Sequence, residues 1–218
     1  MYTIPAKDST DSGELKERIL ELFIKLLQDQ HYIVYGAAVY LLFKISRDRL
    51  DLLHPVYLLI CENLEKMEDV YLPSICTSLT NYCKVYLLKP KMSDTEIKHL
   101  NVLKSKCKEL ITYTSNGAAI AAYASLLFHI GDAKEMSVLE RPLLRLLSGS
   151  EPYKQLGLNI IQAVLQKNPE LFETAMKYFR ILISDTEYSR YKKIEILKVI
   201  ANERNIKWIQ KELEYWIG

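Results

Sequence analysis

Three stretches of this 218-residue chain follow one plan, and that plan limits the folds open to it. They are LLQDQHYIVYGAAVYLL from Leu26, LLSGSEPYKQLGLNII from Leu146 and LISDTEYSRYKKIEIL from Leu182. Each closes an apolar helix, crosses a short polar turn and opens another helix. In each, Asp or Ser is followed three residues later by Tyr, and three further by Tyr or Leu: Asp29–Tyr32–Tyr35, Ser150–Tyr153–Leu156 and Asp185–Tyr188–Tyr191. A short side-chain oxygen suits the orphan N–H groups at a helix start, and positions three apart share a helix face. Asp69, before VYLPSICTSL, and Ser115, before NGAAIAAYASLLFHI, add two less regular starts. The five starts, at 29, 69, 115, 150 and 185, are 40, 46, 35 and 35 residues apart. Periods of this size belong to stacked helical hairpins, each hiding its apolar flank against the next.

The spacing of apolar residues predicts helices near 14–28, 31–46, 50–66, 70–88, 96–112, 116–130, 135–148, 151–167, 169–183, 186–203 and 205–217. The expected fold is therefore all-α: a right-handed α-solenoid of HEAT/armadillo-like hairpins with about 11 helices. It occupies 14–218 as one domain, behind an N-terminal extension at 1–13 expected to be poorly ordered or loosely packed. Pro152 and Pro169 fall at first helical positions, with Asn168 as the cap before Pro169, and Pro142 marks a helix start. Pro55 and Pro73 lie inside expected helices and predict a late start or a kink. Seven Gly and seven Pro are few for a turn-dense β fold of this length.

Residues 110–131 carry no Asp, Glu, Lys or Arg, which raises the question of a membrane span. Thr112, Thr114, Ser115, Asn116 and Gly117 fill the front of the stretch, leaving an apolar run from Ala118 to Ile130. A span needs about 20 apolar residues. The segment instead reads as the second helix of the third hairpin, with neighbours on both sides, and VYGAAVYLLFKI (34–45) as its counterpart in the first. The last helix, with Ile206, Ile209, Leu213 and Trp216 on one face and Trp208 beside them, has no partner of its own. Trp208, Leu213 and Trp216 are the candidate partner-binding residues.

No nucleotide-binding, metalloprotease, nucleophile-elbow or EF-hand pattern occurs. His31, His54, His99 and His129 are scattered, and the acidic residues Asp51, Glu62, Glu65, Glu68 and Asp69 spread over two expected helices. No catalytic, cofactor-binding or metal-ligating set is expected. Cys61, Cys76, Cys83 and Cys107 form no CxxC pair and read as reduced, buried thiols of a cytosolic protein; Cys76 and Cys83 could share a helix face, but two thiols are half a zinc site. The LxxLL run LLRLL (143–147) reads as hairpin core in preference to a docking motif, and the lysines of KHLNVLKSKCK (98–108) as a solvated face or a contact for acidic lipid or an acidic partner. A net charge of +2 predicts no strong pull toward nucleic acid or acidic membranes.

Three ordered segments carry a family resemblance: SNGAAIAAYASLLFHI, RPLLRLLSGSEPYKQLGLNIIQAVLQKNPELF (141–172) and KIEILKVIANERNIKWIQKELEYW (193–216). They resemble the C-terminal half of the trunk of β-adaptins, large subunits of heterotetrameric vesicle-coat adaptor complexes. RDRLDLLHPVYLLICENL (47–64) is most similar to the β subunit of adaptor protein complex 3. The chain departs from that pattern in starting partway along the trunk, in lacking the hinge and ear, and in a short link between Lys89 and Ile97. The resemblance implies a non-catalytic scaffold in vesicle-mediated protein transport that binds the medium (μ) subunit and supports cargo selection. It implies a cytoplasmic protein, peripheral on Golgi, endosomal or vesicle membranes through its complex, with no cofactor, nucleic acid or small-molecule substrate. Two other classes share the hairpin physics: a scaffold of nuclear transport or of kinase and phosphatase regulation, and an RNA-binding array of 35-residue hairpins, which the irregular spacing and near-neutral charge disfavour.

Overall fold

A computed structural model describes residues 9–47 and 49–217. Its α-helices are α1 (Ser9–Leu27), α2 (Tyr32–Ile45), α3 (Tyr57–Glu62), α4 (Leu72–Tyr82), α5 (Asp94–Tyr113), α6 (Gly117–Ile130), α7 (Glu140–Leu147), α8 (Glu151–Lys167), α9 (Glu187–Ile200) and α10 (Ile206–Ile217). Short 3₁₀ segments at Leu50–Leu53, Leu64–Lys66, Ala133–Leu139 and Glu173–Phe179, and one widened turn at Cys83–Leu87, complete the order; no strand occurs among the described residues. The expected extension at 1–13 falls mostly outside the described residues, and residues 9–13 belong to α1.

The helices form two layers. In one, α2 packs on α4, α4 on α6, α6 on α8 and α8 on α9. In the other, α1 backs α2, α5 backs α6, α7 lies against α6 and α8, and Glu173–Phe179 backs α9, while α3 packs on α5. Helices α2, α4, α6, α8 and α9 begin one to three residues after the polar residues that mark the sequence repeat. One continuous core runs the length of the stack, from Phe23 and Leu27 to Ile200 and Ile209. The alanine-rich α6 sits at its centre, with every residue from 119 to 124 buried.

Helix starts are set by side-chain oxygens, though not always the expected ones. Ser93 and Glu96 cap α5 reciprocally, Ser93 Oγ accepting from the Glu96 N–H at 3.3 Å and Glu96 Oε2 from the Ser93 N–H at 2.8 Å. Asn116, not Ser115, caps α6, its Oδ1 accepting from Ala118 and Ala119 at 2.8 and 3.2 Å. Asp29 accepts from the His31 N–H at 2.7 Å just ahead of α2. Ser150 occupies the cap position of α8 without a side-chain bond. The expected caps Asp185 and Asp69 are corrected: Thr186 caps α9, its Oγ1 accepting from Ser189 at 3.2 Å, and α4 begins at Leu72 with Pro73 in its first turn.

Three expected helices are also corrected. The span 50–66 breaks around Pro55 into two 3₁₀ turns and α3, because proline removes a donor and crowds the preceding turn. The span 169–183 is not an α-helix. Asn168 terminates α8, and the following residues make i→i+3 turns ending in Glu173–Phe179, pinned by the fully buried Phe172 and Phe179. Likewise 135–148 divides into a 3₁₀ segment and α7, with Pro142 in the first turn of α7 as expected.

Polar networks tie successive hairpins together. Lys104 on α5, with a nearly buried side chain, reaches Glu135 at 2.8 Å, and Lys108 joins the same carboxylate. Between α8 and α9, Glu151 accepts from Ser189 Oγ at 2.6 Å and Thr186 Oγ1 at 2.7 Å. Burial opposes the charge on Glu135, but hydrogen bonds from Lys104, Lys108 and the Asp132 N–H outweigh it, and its pKa drops to about 2. The Ser189 hydroxyl leads the groups that bring Glu151 to about 2, against burial. An unfolded chain takes up these protons near pH 4.5, the folded one only near pH 2, so the stability they contribute is complete above pH 4.5 and is lost as pH falls through that window. Thermal midpoints followed by circular dichroism should slip only slightly below about pH 6.5, where burial keeps the His129 ring from taking up a proton as readily as in the unfolded chain, and drop much more from about pH 5 toward about pH 2. A larger drop above about pH 5 than below it would assign the sensitivity to other groups.

Candidate partner-binding surfaces

The chemistry-bearing side chains are dispersed and engaged locally. His54 Nδ1 is hydrogen-bonded to the Tyr82 hydroxyl at 2.7 Å, His31 stacks on Tyr32, and His99 lies beside the Tyr57 ring. Among the described residues, no group of three His, Cys, Asp or Glu could hold a metal ion, and no helix is long and apolar enough to cross a membrane. All four cysteines are free and buried. Burial pushes the Cys83 thiol up to about 11 and Cys76 to about 12, and raises Cys61 and Cys107 well above the usual thiol range. Ellman's reagent at pH 8 should therefore find almost no reactive thiol in the folded chain and all four after unfolding in guanidinium. Fast reaction of any one in the native state would contradict its burial.

The LLRLL run is core. Leu143, Leu144, Leu146 and Leu147 are buried, and Arg145 donates to the Ile111 carbonyl at 3.0 Å, fastening α7 to the end of α5. The reading of 98–108 as a solvated lysine face is corrected: Lys104 and Lys108 pair with Glu135, and Lys106 pairs with Glu65 at 3.0 Å. These lysines join hairpins and leave only the outer positions of α5 to solvent.

The three sequence-selected contact residues lie together on α10, but the face is half covered by its own chain. Trp208 and Leu213 pack against the core beside the buried Ile209, and the Trp216 ring lies under the Arg190 guanidinium at 5.2 Å. The more open apolar face is at the other end of the stack. Ile19, Leu22 and Leu26 on α1, and Ile33, Leu41 and Ile45 on α2, are exposed, Leu22 to 60% and Ile45 to 55%. The expectation that α2 matches α6 in being covered on both sides is therefore corrected. Their sequences are alike; what differs is a neighbour beyond α2.

A trough crosses the layer of α2, α4, α6 and α8. One end is a notch of about 260 Å³ between α4, α6 and α8, walled by Cys76, Ala118, Ala122, Tyr153, Leu156 and Ile160, among others. Its wider end is a cleft of about 740 Å³ between the end of α2 and α4, lined by Lys44, Arg47, Ser74, Ser78 and Asn81, among others. Pro73 and Thr77 line both. Gly117 opens α6 where the Tyr153 ring crosses it: a Cβ there would stand 2.9 Å from the ring.

These features define the class first: a stack of helical hairpins with apolar and polar surface open along it. The model of the adaptin N-terminal region matches residues 8–218, and the chain belongs to that family. It is similar to AP-3 complex subunit beta-1 of Bos taurus, with 27% identity over 232 residues covering 94% of this chain and 21% of that protein. It is also similar to AP-3 complex subunit beta of Schizosaccharomyces pombe, with 28% identity over 206 residues covering 93% and 27%. The chain thus spans roughly a fifth to a quarter of the length of these relatives. A homology model of the full-length AP-3 complex in an intermediate open conformation shares the fold, with a TM-score of 0.71 and 23% identity over 92% of this chain and 37% of that one.

Proposed function

We propose that this chain is a non-catalytic scaffold of a heterotetrameric vesicle-coat adaptor complex, of the AP-3 β type, acting in intracellular protein transport. The observation that carries the reading is the match to AP-3 β subunits along 94% of the chain. The fold supports it: a stack of hairpins offers long surfaces to partners, and no acid, base or nucleophile constellation is grouped among the described residues. The proposed partner is a medium (μ) chain, and Trp208, Leu213 and Trp216 on α10 contribute to the contact through the parts their own chain leaves open. Association with Golgi, endosomal or vesicle membranes is peripheral and runs through the complex, on the cytoplasmic side.

Co-expression of the 218-residue chain with a μ chain of an AP-3 complex, followed by affinity capture and size-exclusion chromatography, tests the reading. A stoichiometric complex, weakened by Leu213→Asp, is the expected result. No complex with μ or any other adaptor subunit, together with capture of nuclear-transport or phosphatase components, would transfer the chain to another scaffold pathway.

A further inference from the structure

We propose that the small pocket where the start of α4, the end of α5 and the start of α6 meet takes the guanidinium of an arginine side chain on a partner protein. This stands whether or not a μ chain is the partner of the scaffold.

The pocket, of about 270 Å³, holds an unanswered hydroxyl. Tyr123 lines it although the residue is only 3% exposed, and among the described residues nothing is hydrogen-bonded to its hydroxyl. Buried polar atoms are paired with few exceptions. The other buried tyrosines of this core conform. Tyr35 donates to the Leu59 carbonyl at 3.4 Å, Tyr57 meets the Cys83 thiol at 3.7 Å and Tyr82 bonds the His54 ring at 2.7 Å. Tyr123 departs from them, and it faces a space that a ligand can enter. Burial first, and then Cys76, Cys107, Asp69 and Glu65, push its pKa up, so the hydroxyl is neutral and offers its lone pairs to a donor.

The charges beside it ask for a cation. Glu65 and Asp69 are the charged residues lining the pocket. Glu65 shares Lys106 with Glu109, at 3.0 and 3.6 Å. Asp69 is exposed and forms no ion pair among the described residues. No three carboxylates, thiols or imidazoles among those residues converge as ligands of a metal ion, so the cation is organic. A guanidinium suits the pocket better than an ammonium. Its planar fork can span a carboxylate and a hydroxyl and stack on a ring. Tyr113, which lines the pocket and is 81% exposed, supplies that ring. The volume falls short of the roughly 300–1,000 Å³ of small-molecule sites and suits one long side chain. Val70, next to Asp69 in the chain, is 82% exposed. Open apolar side chains beside a seat for one cation mark a protein contact, where arginine and tyrosine carry much of the binding.

The test follows the backbone amides of the full chain by NMR as acetyl-Leu-Arg-Leu-amide is added. Companion peptides carry lysine, or citrulline, which keeps the shape of arginine without its charge. Arginine amide alone forms a separate arm. The expected result is saturable shifts centred on residues 69–70, 113–114 and 119–123. The citrulline peptide should bind about tenfold more weakly or worse, and the lysine peptide and arginine amide about threefold. Asp69→Asn and Tyr123→Phe should each weaken the arginine peptide roughly tenfold. Thermal midpoints verify that both variants fold, and the exposed Asp69 keeps the test open should Tyr123→Phe disturb the core. No saturation by about 10 mM peptide, equal binding of the citrulline peptide, or binding that ignores both variants overturns the proposal. Arginine amide binding as tightly as the tripeptide overturns the assignment to a partner protein and leaves a site for a free guanidinium compound.

Discussion

Lys193→Met is expected to destabilise the last hairpin by about 3–5 kcal/mol, the range for removing one partner of a buried ion pair. The Lys193 ammonium, 4% exposed, donates to Asp185 Oδ2 at 2.6 Å and to the Arg180 carbonyl at 2.8 Å. The Asp185 carboxylate is fully buried and has one further cation, Lys154 at 3.4 Å, besides the Leu182 N–H at 2.8 Å. Methionine keeps the length of the stem but leaves that charge undercompensated. In a stacked array the loss stays near its source, so urea unfolding should show α9 and α10 releasing early while α4–α6 persist. Asp185→Leu with Lys193→Met should recover much of the loss, because a buried pair replaced by apolar groups is often close to neutral. A cost below about 1 kcal/mol for the single substitution would mean that the pair is hydrated in solution.

Phe179→Ala should be comparably damaging, about 3–5 kcal/mol for a large buried aromatic. Glu173–Phe179 is a 3₁₀ segment, whose i→i+3 bonds have poorer geometry than those of an α-helix, so its place leans on side chains. Phe172 and Phe179 are both fully buried and meet edge to face, with centroids 6.1 Å apart and planes at 79°. A 3₁₀ turn rises about 2.0 Å per residue against 1.5 Å for an α-helix, so the same residues reach further from the end of α8 toward α9. Removing Phe179 takes away the anchor that makes the tighter coil worth its poorer hydrogen-bond geometry. Denaturant titration of the variant tests this, and Phe179→Leu should retain most of the stability. An unchanged midpoint for Phe179→Ala would show that the segment is held by something other than its aromatic pair.

The repeat was legible because each hairpin writes it locally, as a polar turn followed by apolar positions at helical spacing. What the sequence withheld was the use of a residue from a distance. Ser-Asp-Thr-Glu occurs twice, at 93–96 and 184–187. At the first, Ser93 and Glu96 close a reciprocal cap and the helix begins at Asp94. At the second, Lys193 and Lys154 draw Asp185 into the interior, Thr186 takes the cap, and the helix begins at Glu187. The four letters are the same, and the lysines that choose between the two outcomes lie outside the turn, Lys193 two turns along α9 and Lys154 on α8. Lys104 is a second case: on α5 it reads as one more surface lysine, and only Glu135, beyond the whole of α6, makes it an interior one. The α2 and α6 helices are a third, since periodicity shows an apolar helix but not whether a neighbour covers it.

The candidate surface was the least legible part. Aromatic residues near the chain end drew attention to Trp208, Leu213 and Trp216, yet their own chain covers much of that face. The trough depends on alanines and a glycine, residues that mark space by lacking atoms.

Amide hydrogen exchange read helix by helix tests the central claim, that each hairpin is stabilised by burial against its neighbours. The claim predicts slowest exchange in α6, which packs on α4, α5, α7 and α8, with protection falling outward to α1 and α10. Exchange in α6 as fast as in α1, or protection uniform from one end to the other, would contradict it.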